Sequence, residues 1–209
     1  MDNKIIVVGI GPGSKDYILP LASKKIQQAK VLVGGQRALD GFALPNQETI
    51  VVKSDVDKVV QAIREKLFTY DVTVMVSGDP GFHSMLVLLN KEFPNIDKEV
   101  IPGISSLQLA FSRIGRPWQD AELFSLHGKE QTQDFLQYRA KRTIGMLTDG
   151  KNTPSVIAQR LKLTDWPDES ECYICANLSY DDEQVVKLTL EEMQQSSEYK
   201  NCVVVVFGT

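Results

Sequence analysis

Val72-Thr73-Val74-Met75-Val76-Ser77-Gly78-Asp79-Pro80-Gly81-Phe82-His83-Ser84 opens as an apolar run rich in β-branched residues and then breaks at glycine and proline. The run reads as a buried strand, and the break forces a sharp turn. An apolar helical pattern follows, with Met85, Leu86, Leu88 and Leu89. A strand that ends in a glycine turn and passes into a helix is where open α/β sheets bind ligands. Ser77 and Asp79 stand at that mouth as small polar groups, near backbone N–H groups that a helix N-terminus leaves free. Asp79 has a second reading as the N-cap of the following helix.

The same pattern repeats upstream. Lys4 to Ile10 is a strand, followed by the turn Gly9-Ile10-Gly11-Pro12-Gly13-Ser14. A dinucleotide loop needs a third glycine where Ser14 stands, and a P-loop needs a Gly-Lys-Ser/Thr that is absent. Pro12 removes a backbone donor and stiffens the turn. The loop therefore suits close backbone approach but not phosphate. A helix opens at Leu19-Pro20, with Ile18, Leu21, Ala22, Ile26 and Ala29 as its buried face. Val31 to Val33 is a strand ending in Gly34-Gly35, and Gln36-Arg37 starts a short helix. Glu48 to Val52 is a strand; Val56, Val59, Val60, Ile63 and Leu67 then follow helical spacing.

Downstream, Glu99 to Ile101 is a strand that ends in Pro102-Gly103-Ile104-Ser105-Ser106, before a helix with Ile104, Leu107, Phe111 and Ile114 on one face. Strands alternating with helices imply a mainly parallel sheet covered on both sides. Residues 115–120, Gly-Arg-Pro-Trp-Gln-Asp, read as a linker, which gives an N-terminal α/β domain over 1–114 and a C-terminal α/β domain over 121–209. The second domain carries strands at Leu123–Leu126, Thr143–Leu147, Cys172–Leu178, Val185–Leu190 and Cys202–Phe207, and helices at Phe135–Ala140 and Pro154–Leu163. Fewer crossovers there predict a mixed sheet. Two such halves leave a cleft between them, a common place for small-ligand sites.

The chain has 209 residues, a net charge of −4 and a pI near 5.3. A nucleic-acid partner calls for a basic bias, and the balance here is acidic. No apolar run approaches a membrane span, and no secretory signal is read at the N-terminus. Three cysteines, an odd count, suit a reducing cytoplasm. Cys172 and Cys175 have the C-x-x-C spacing, but residues three apart on a strand face opposite sides, so packing is the expected role. The two histidines, His83 and His127, lack a carboxylate motif that would make a metal site. His83, just beyond Asp79, is the one placed to face a ligand. No Gly-x-Ser-x-Gly elbow occurs. Among the scattered basic residues Arg37, Lys53, Arg113, Arg116 and Lys129, Arg37 stands out because it follows Gly34-Gly35 at the C-terminal edge of a strand.

With the turns Gly9-Ile10-Gly11-Pro12-Gly13, Ser77-Gly78-Asp79-Pro80 and Pro102-Gly103-Ile104-Ser105-Ser106, and the segment Cys175-Ala176-Asn177-Leu178-Ser179, the chain resembles the tetrapyrrole methylases over nearly its whole length. Val33-Gly34-Gly35-Gln36-Arg37 and Ser77 to Phe82 are similar to the members that methylate carbon 5 of cobalt-precorrin-7 or its cobalt-free counterpart, precorrin-6B. Pro20 departs from the family's usual Thr, Ala176 from its common Glu and Ser179 from its common Gly. The resemblance implies two α/β domains of the tetrapyrrole methylase type with a cofactor cleft between them. It implies S-adenosylmethionine as methyl donor, a tetrapyrrole substrate and a homodimer. Docking to a separate decarboxylating carbon-15 methyltransferase stays open.

The family's cofactor contacts carry over onto Pro12, Ser77, Gly78, Asp79, Phe82, Ser105, Ser106, Leu147, Asn177 and Leu178. Substrate contacts are assigned to Gly11, Gly13, Arg37 and His83, and the catalytic role to Asp79, beside the sulfonium. No metal is expected. Methyl transfer from a sulfonium is an in-line displacement whose reactive group the cofactor supplies. The protein must hold a ring carbon about 3–3.5 Å from the methyl, and the displacement itself requires no strong base. Sister methylases acting on another precorrin carbon, on a diphthamide precursor or on ribosomal RNA remain alternatives. A non-catalytic nucleotide-binding module and a structural subunit are two more.

Overall fold

The computed structural model describes residues 3–126, 133–196 and 199–209. Packing divides the chain into two units, Met1–Ser105 and Ser106–Thr209.

The first unit is a five-stranded, all-parallel sheet. Its elements in order are β1 (Ile5–Gly9), α1 (Pro20–Gln28), β2 (Val31–Gly34), α2 (Gln36–Phe42), β3 (Glu48–Val51), α3 (Val56–Lys66), β4 (Val72–Val76), α4 (Leu86–Glu92) and β5 (Lys98–Ile101). The strands lie in the order β3-β2-β4-β1-β5. β1, β2 and β4 are buried along their whole length, as parallel strands covered on both faces should be. Alternate residues feed two cores. Ile6 and Val8 pack with Ala22 and Ile26 of α1 and Leu39 of α2. Ile5 and Val7 pack with Val59, Val60 and Ile63 of α3 and Leu89 of α4. The helices after β1 and β4 thus leave to opposite faces of the sheet, although these two strands are neighbours. That is a topological switch point, with its crevice at their C-terminal ends.

Leu21 and Val56, assigned from sequence to buried helix faces, are 52% and 37% exposed. Both lie in the first turn of their helices. Pro20 opens α1 at a position where its missing N–H has no helical partner to lose.

The second unit comprises α5 (Ser106–Ile114), β6 (Ala121–Ser125), β7 (Thr143–Leu147), α6 (Pro154–Lys162), β8 (Glu171–Ala176), β9 (Gln184–Thr189), α7 (Leu190–Gln194) and β10 (Cys202–Phe207). The sheet order is β6-β7-β10-β8-β9, and only β6 and β7 run parallel. The mixed sheet expected from sequence is therefore present. The boundary lies ahead of the Gly115–Asp120 turn, because α5 belongs with this second sheet. A Cβ on Gly145 of β7 would meet Leu107 at 3.0 Å and Phe111 at 3.1 Å, so α5 sits directly on the strand.

The helix expected over Phe135–Ala140 is only a single 3-10 turn at Gln133–Leu136. Its carbonyls are taken by side chains instead. Leu136 O accepts from Trp166 Nε1 at 2.6 Å, and Phe135 O accepts from Arg142 Nη2 at 2.6 Å. The Tyr138 N–H goes to Thr164 O at 2.9 Å. α7 was not legible as a helix, being five residues long, but Thr189 and Glu192 close a capping box over its start. No helix among the described residues is long and apolar enough to cross a membrane. His127 and Lys129 lie outside the described residues.

Candidate functional site

Three loops meet at the switch point of the first unit: those after β1, β4 and β5. The N–H of Gly78 donates to Gly11 O at 2.8 Å, and that of Gly11 to Gly78 O at 3.4 Å. Gly11 and Gly78 have φ of +77° and +66°, a left-handed conformation that glycine adopts without strain. The third loop closes from the side. A Cβ on Gly9 would stand 2.6 Å from Gly103 N, and one on Gly103 would stand 2.2 Å from Gly78 O. The floor is therefore backbone packed on backbone.

Asp79 ties this floor together. Its Oδ1 accepts from Gly103 N at 3.0 Å, and its Oδ2 from Gly81 N at 2.7 Å. Both carboxylate oxygens thus hold loop amides. Asp79 is not the cap of α4, which starts only at Leu86; there Ser84 Oγ accepts from the Leu86 N–H at 3.1 Å. Ser77 is exposed at the rim, while Pro12 and Phe82 are half-buried. His83 is exposed with φ of +49°, its ring edge-on to Phe82 at 4.6 Å. Gly13 lies beyond Pro12 in the first loop, and Ser14 next to it caps a 3-10 turn rather than a phosphate. Ser105 Cα lies 3.6 Å from where a Gly78 Cβ would stand. Arg37 is exposed in the first turn of α2, following β2 at the same C-terminal edge of the sheet.

The remaining assigned residues belong to the second unit. Ser106 is the first residue of α5, and Leu147 the last of β7. Asn177 follows β8 with φ of +49°, and its Nδ2 donates to Asp182 Oδ2 at 2.7 Å. Leu178 is 4% exposed, so only its backbone is available to a ligand. Ser179 has φ of +74°. Ser179→Gly is expected to stabilise the protein by about 0.5–1 kcal/mol, since relief of the left-handed strain outweighs the added chain entropy of glycine. A rise in the urea midpoint checks this, with Ser179→Ala as the variant that should not rise.

All three cysteines are buried. Cys172 points into the core with Ile174 and Ala176, whereas Cys175 takes the other side of the strand. Burial pushes both thiols up to about 12. At pH 8 only about one molecule in ten thousand carries either thiolate, so native protein should resist iodoacetamide and urea-unfolded protein should react fully. Rapid alkylation in the native state would contradict this burial. Among the described residues no group of three His, Cys, Asp or Glu side chains could hold a metal.

A separate cavity of about 390 Å³ opens at the opposite end of the first sheet, lined by residues including Lys4, Lys25, Asp71 and Thr73. Lys4 and Lys25 share the Glu99 carboxylate at 2.6 Å each, which engages both ammonium groups within the protein. Strand N-termini and the C-terminus of α1 face it, so the switch point is the better ligand site.

The glycine turns were visible in the sequence. Their mutual contact was not, since Asp79 and Gly103 are 24 residues apart. Also missed was Glu183, whose Oε2 accepts from the Ser179 N–H at 2.7 Å. A lone Glu in a polar hairpin gives no signal.

Residues 4–194 match the family described as Tetrapyrrole (Corrin/Porphyrin) Methylases. The chain is 29% identical over 192 residues to the "Probable cobalt-precorrin-7 C(5)-methyltransferase" of Methanocaldococcus jannaschii, covering 90% of each chain. It is 31% identical over 160 residues to the "Cobalt-precorrin-7 C(5)-methyltransferase" of Salmonella typhimurium, covering 75% of this chain and 77% of that one. Among solved structures it is similar to the uroporphyrin-III C-methyl transferase of Thermus thermophilus complexed with S-adenyl homocysteine. The TM-score is 0.76 at 19% identity, over 98% of this chain and 92% of that one.

Proposed function

Because the chain belongs to the tetrapyrrole methylases and is a methyltransferase, we propose that it moves one methyl group from S-adenosylmethionine to carbon 5 of cobalt-precorrin-7 or precorrin-6B in cobalamin biosynthesis. The observation that carries this reading is the similarity to two proteins named for that carbon, over most of their length. The floor at the switch point fits the donor. It presents backbone groups, small side chains and open space above Gly78, whose added Cβ would meet only Ser105 Cα at 3.6 Å. Adenine and a methionine chain need apolar walls with a few backbone donors and acceptors, not a phosphate cradle.

When bound, the donor supplies the activated methyl. The chain's residues hold and orient. Pro12, Ser77, Gly78, Phe82 and Ser105 are the first unit's proposed cofactor contacts, and Ser106, Leu147, Asn177 and Leu178 the second unit's. Asp79 acts by fixing the loops, since both its oxygens hold amides of the floor. Arg37 and His83, both exposed, are proposed to meet the carboxylates that edge the macrocycle, and Gly11 and Gly13 to let it approach closely. We also expect a cytoplasmic homodimer.

Incubation with isotopically labelled methyl donor should add one label to the macrocycle by mass spectrometry, and NMR should place it on carbon 5. Arg37→Ala should raise the KM for the macrocycle about tenfold with little change for the donor, as loss of one charge-assisted contact requires. A label on another ring carbon would point to a sister enzyme. Methylation of RNA or protein instead would remove the substrate class.

A further inference from the structure

The loop joining β8 to β9 carries Asn177 and Leu178 and holds two non-glycine residues, Asn177 and Ser179, at positive φ. Such a loop persists only if its surroundings determine it. Several ties are internal: Asn177 Nδ2 to Asp182, Tyr180 N to Asn177 O, and Glu183 N to Tyr180 O. Glu183 provides a tie that reaches outward. Its carboxylate accepts the Ser179 N–H at 2.7 Å on one side and, on the other, Arg113 Nε at 2.5 Å and Nη2 at 3.3 Å. Arg113 stands in the last turn of α5, and Ser106 is the first residue of the same helix. The Arg113 and Glu183 side chains are 35% and 20% exposed, so the two-pronged pair is partly shielded from the solvent that weakens surface ion pairs. Arg113 in turn holds the Glu183 carboxyl below the usual carboxylate range.

We propose that Glu183 is a positioning residue: paired with Arg113, it sets the Asn177-Leu178 loop in register with the Ser106 end of α5 and so fixes the affinity for the methyl donor. The inference rests on the reading that Ser106, Asn177 and Leu178 contact that donor. Glu183 acts through its neighbours, as a rigid helix transmits the position of one end to the other. Leu178 makes the register matter, because its buried side chain leaves only backbone to offer and backbone cannot swing to compensate.

The test is calorimetric titration of S-adenosylhomocysteine into the full chain and its variants. Glu183→Ala removes both ties and should raise Kd about tenfold or more. Glu183→Gln keeps an oxygen for the Ser179 N–H but no charge for Arg113, and should raise it about threefold. Arg113→Lys should match Glu183→Gln, since an ammonium lacks the fork. Glu171→Gln is the control. Glu171 sits at the far end of β8 and binds Arg116 at 3.1 Å and Lys187 at 2.7 Å. It should lose comparable thermal stability and keep its Kd within about twofold. If Glu183→Ala fails to fold, Glu183→Gln and Arg113→Lys decide the matter. Wild-type affinity in the Glu183 variants, or an equal loss in Glu171→Gln, would overturn the inference alone. Absence of binding by the wild type would overturn the functional reading beneath it.

Discussion

Gly103→Ala should lower stability by about 3 kcal/mol or more and abolish binding of S-adenosylhomocysteine, placing it at the upper end of overpacking effects. The new methyl would lie 2.2 Å from Gly78 O and 2.9 Å from both Cα and C of Gly9. All three are backbone atoms of loops anchored in β1 and β4, so no flexible side chain can turn aside. To admit the methyl, β5 must withdraw from β1, with which it pairs from Ile5 through Val8. Urea unfolding provides the measurement, with Gly41→Ala as its counterpart. Gly41 lies inside α2 with nothing within 4 Å of an added Cβ, and the same change there should stabilise by up to about 1 kcal/mol. Equal midpoints for Gly103→Ala and wild type would show the floor to be yielding.

Asp79→Ala should cost about 2–4 kcal/mol and weaken S-adenosylhomocysteine binding more than tenfold, because it strands two amides that now bond to a carboxylate. Asp79→Asn keeps one carbonyl oxygen. It should recover roughly half of the stability, since one of the two amides retains an acceptor while the amide NH₂ faces the other. The pattern separates two roles. A side chain that served only the reacting atoms would lose turnover in both variants and stability in neither. Graded loss of stability and affinity together would instead mark a clasp for the loops. Unchanged stability in Asp79→Ala would remove that role.

Much of the first unit was legible because its central strands β1, β2 and β4 are nearly continuous apolar runs, each ending in or followed within two residues by glycine. Val72 to Val76 and Ile5 to Gly9 admit little else. Gly9, Gly78 and Gly103 were each readable as turns, but their contact depends on strand order, and β4 inserts next to β1 only through tertiary packing. The packing division falls ahead of the expected linker for a related reason. A linker is read from Gly115, Pro117 and charge, whereas α5 packs on Gly145, far along the chain. The helix expected at Phe135–Ala140 failed because Arg142, Thr164 and Trp166 compete for its backbone groups. In the second unit, Asn177 and Ser179 sit at positive φ, which asparagine tolerates and serine normally avoids, and the hairpin anchor Glu183 has no local signature.

A floor built from Gly9, Gly78 and Gly103 has no side chains with which to tell one acceptor from another. On the function proposed above, it serves as a socket for the methyl donor, the component that every reaction of this kind shares. On the same proposal, discrimination among ring carbons falls to residues outside it, with Arg37 on α2 and His83 beyond the β4 turn as the proposed positions. Those positions are exposed, where substitutions usually change stability by little, so they can vary more readily than the glycines of the floor. One scaffold can in this way diversify its acceptor while the donor end stays fixed, and retargeting by design should begin at the rim and leave the glycines alone.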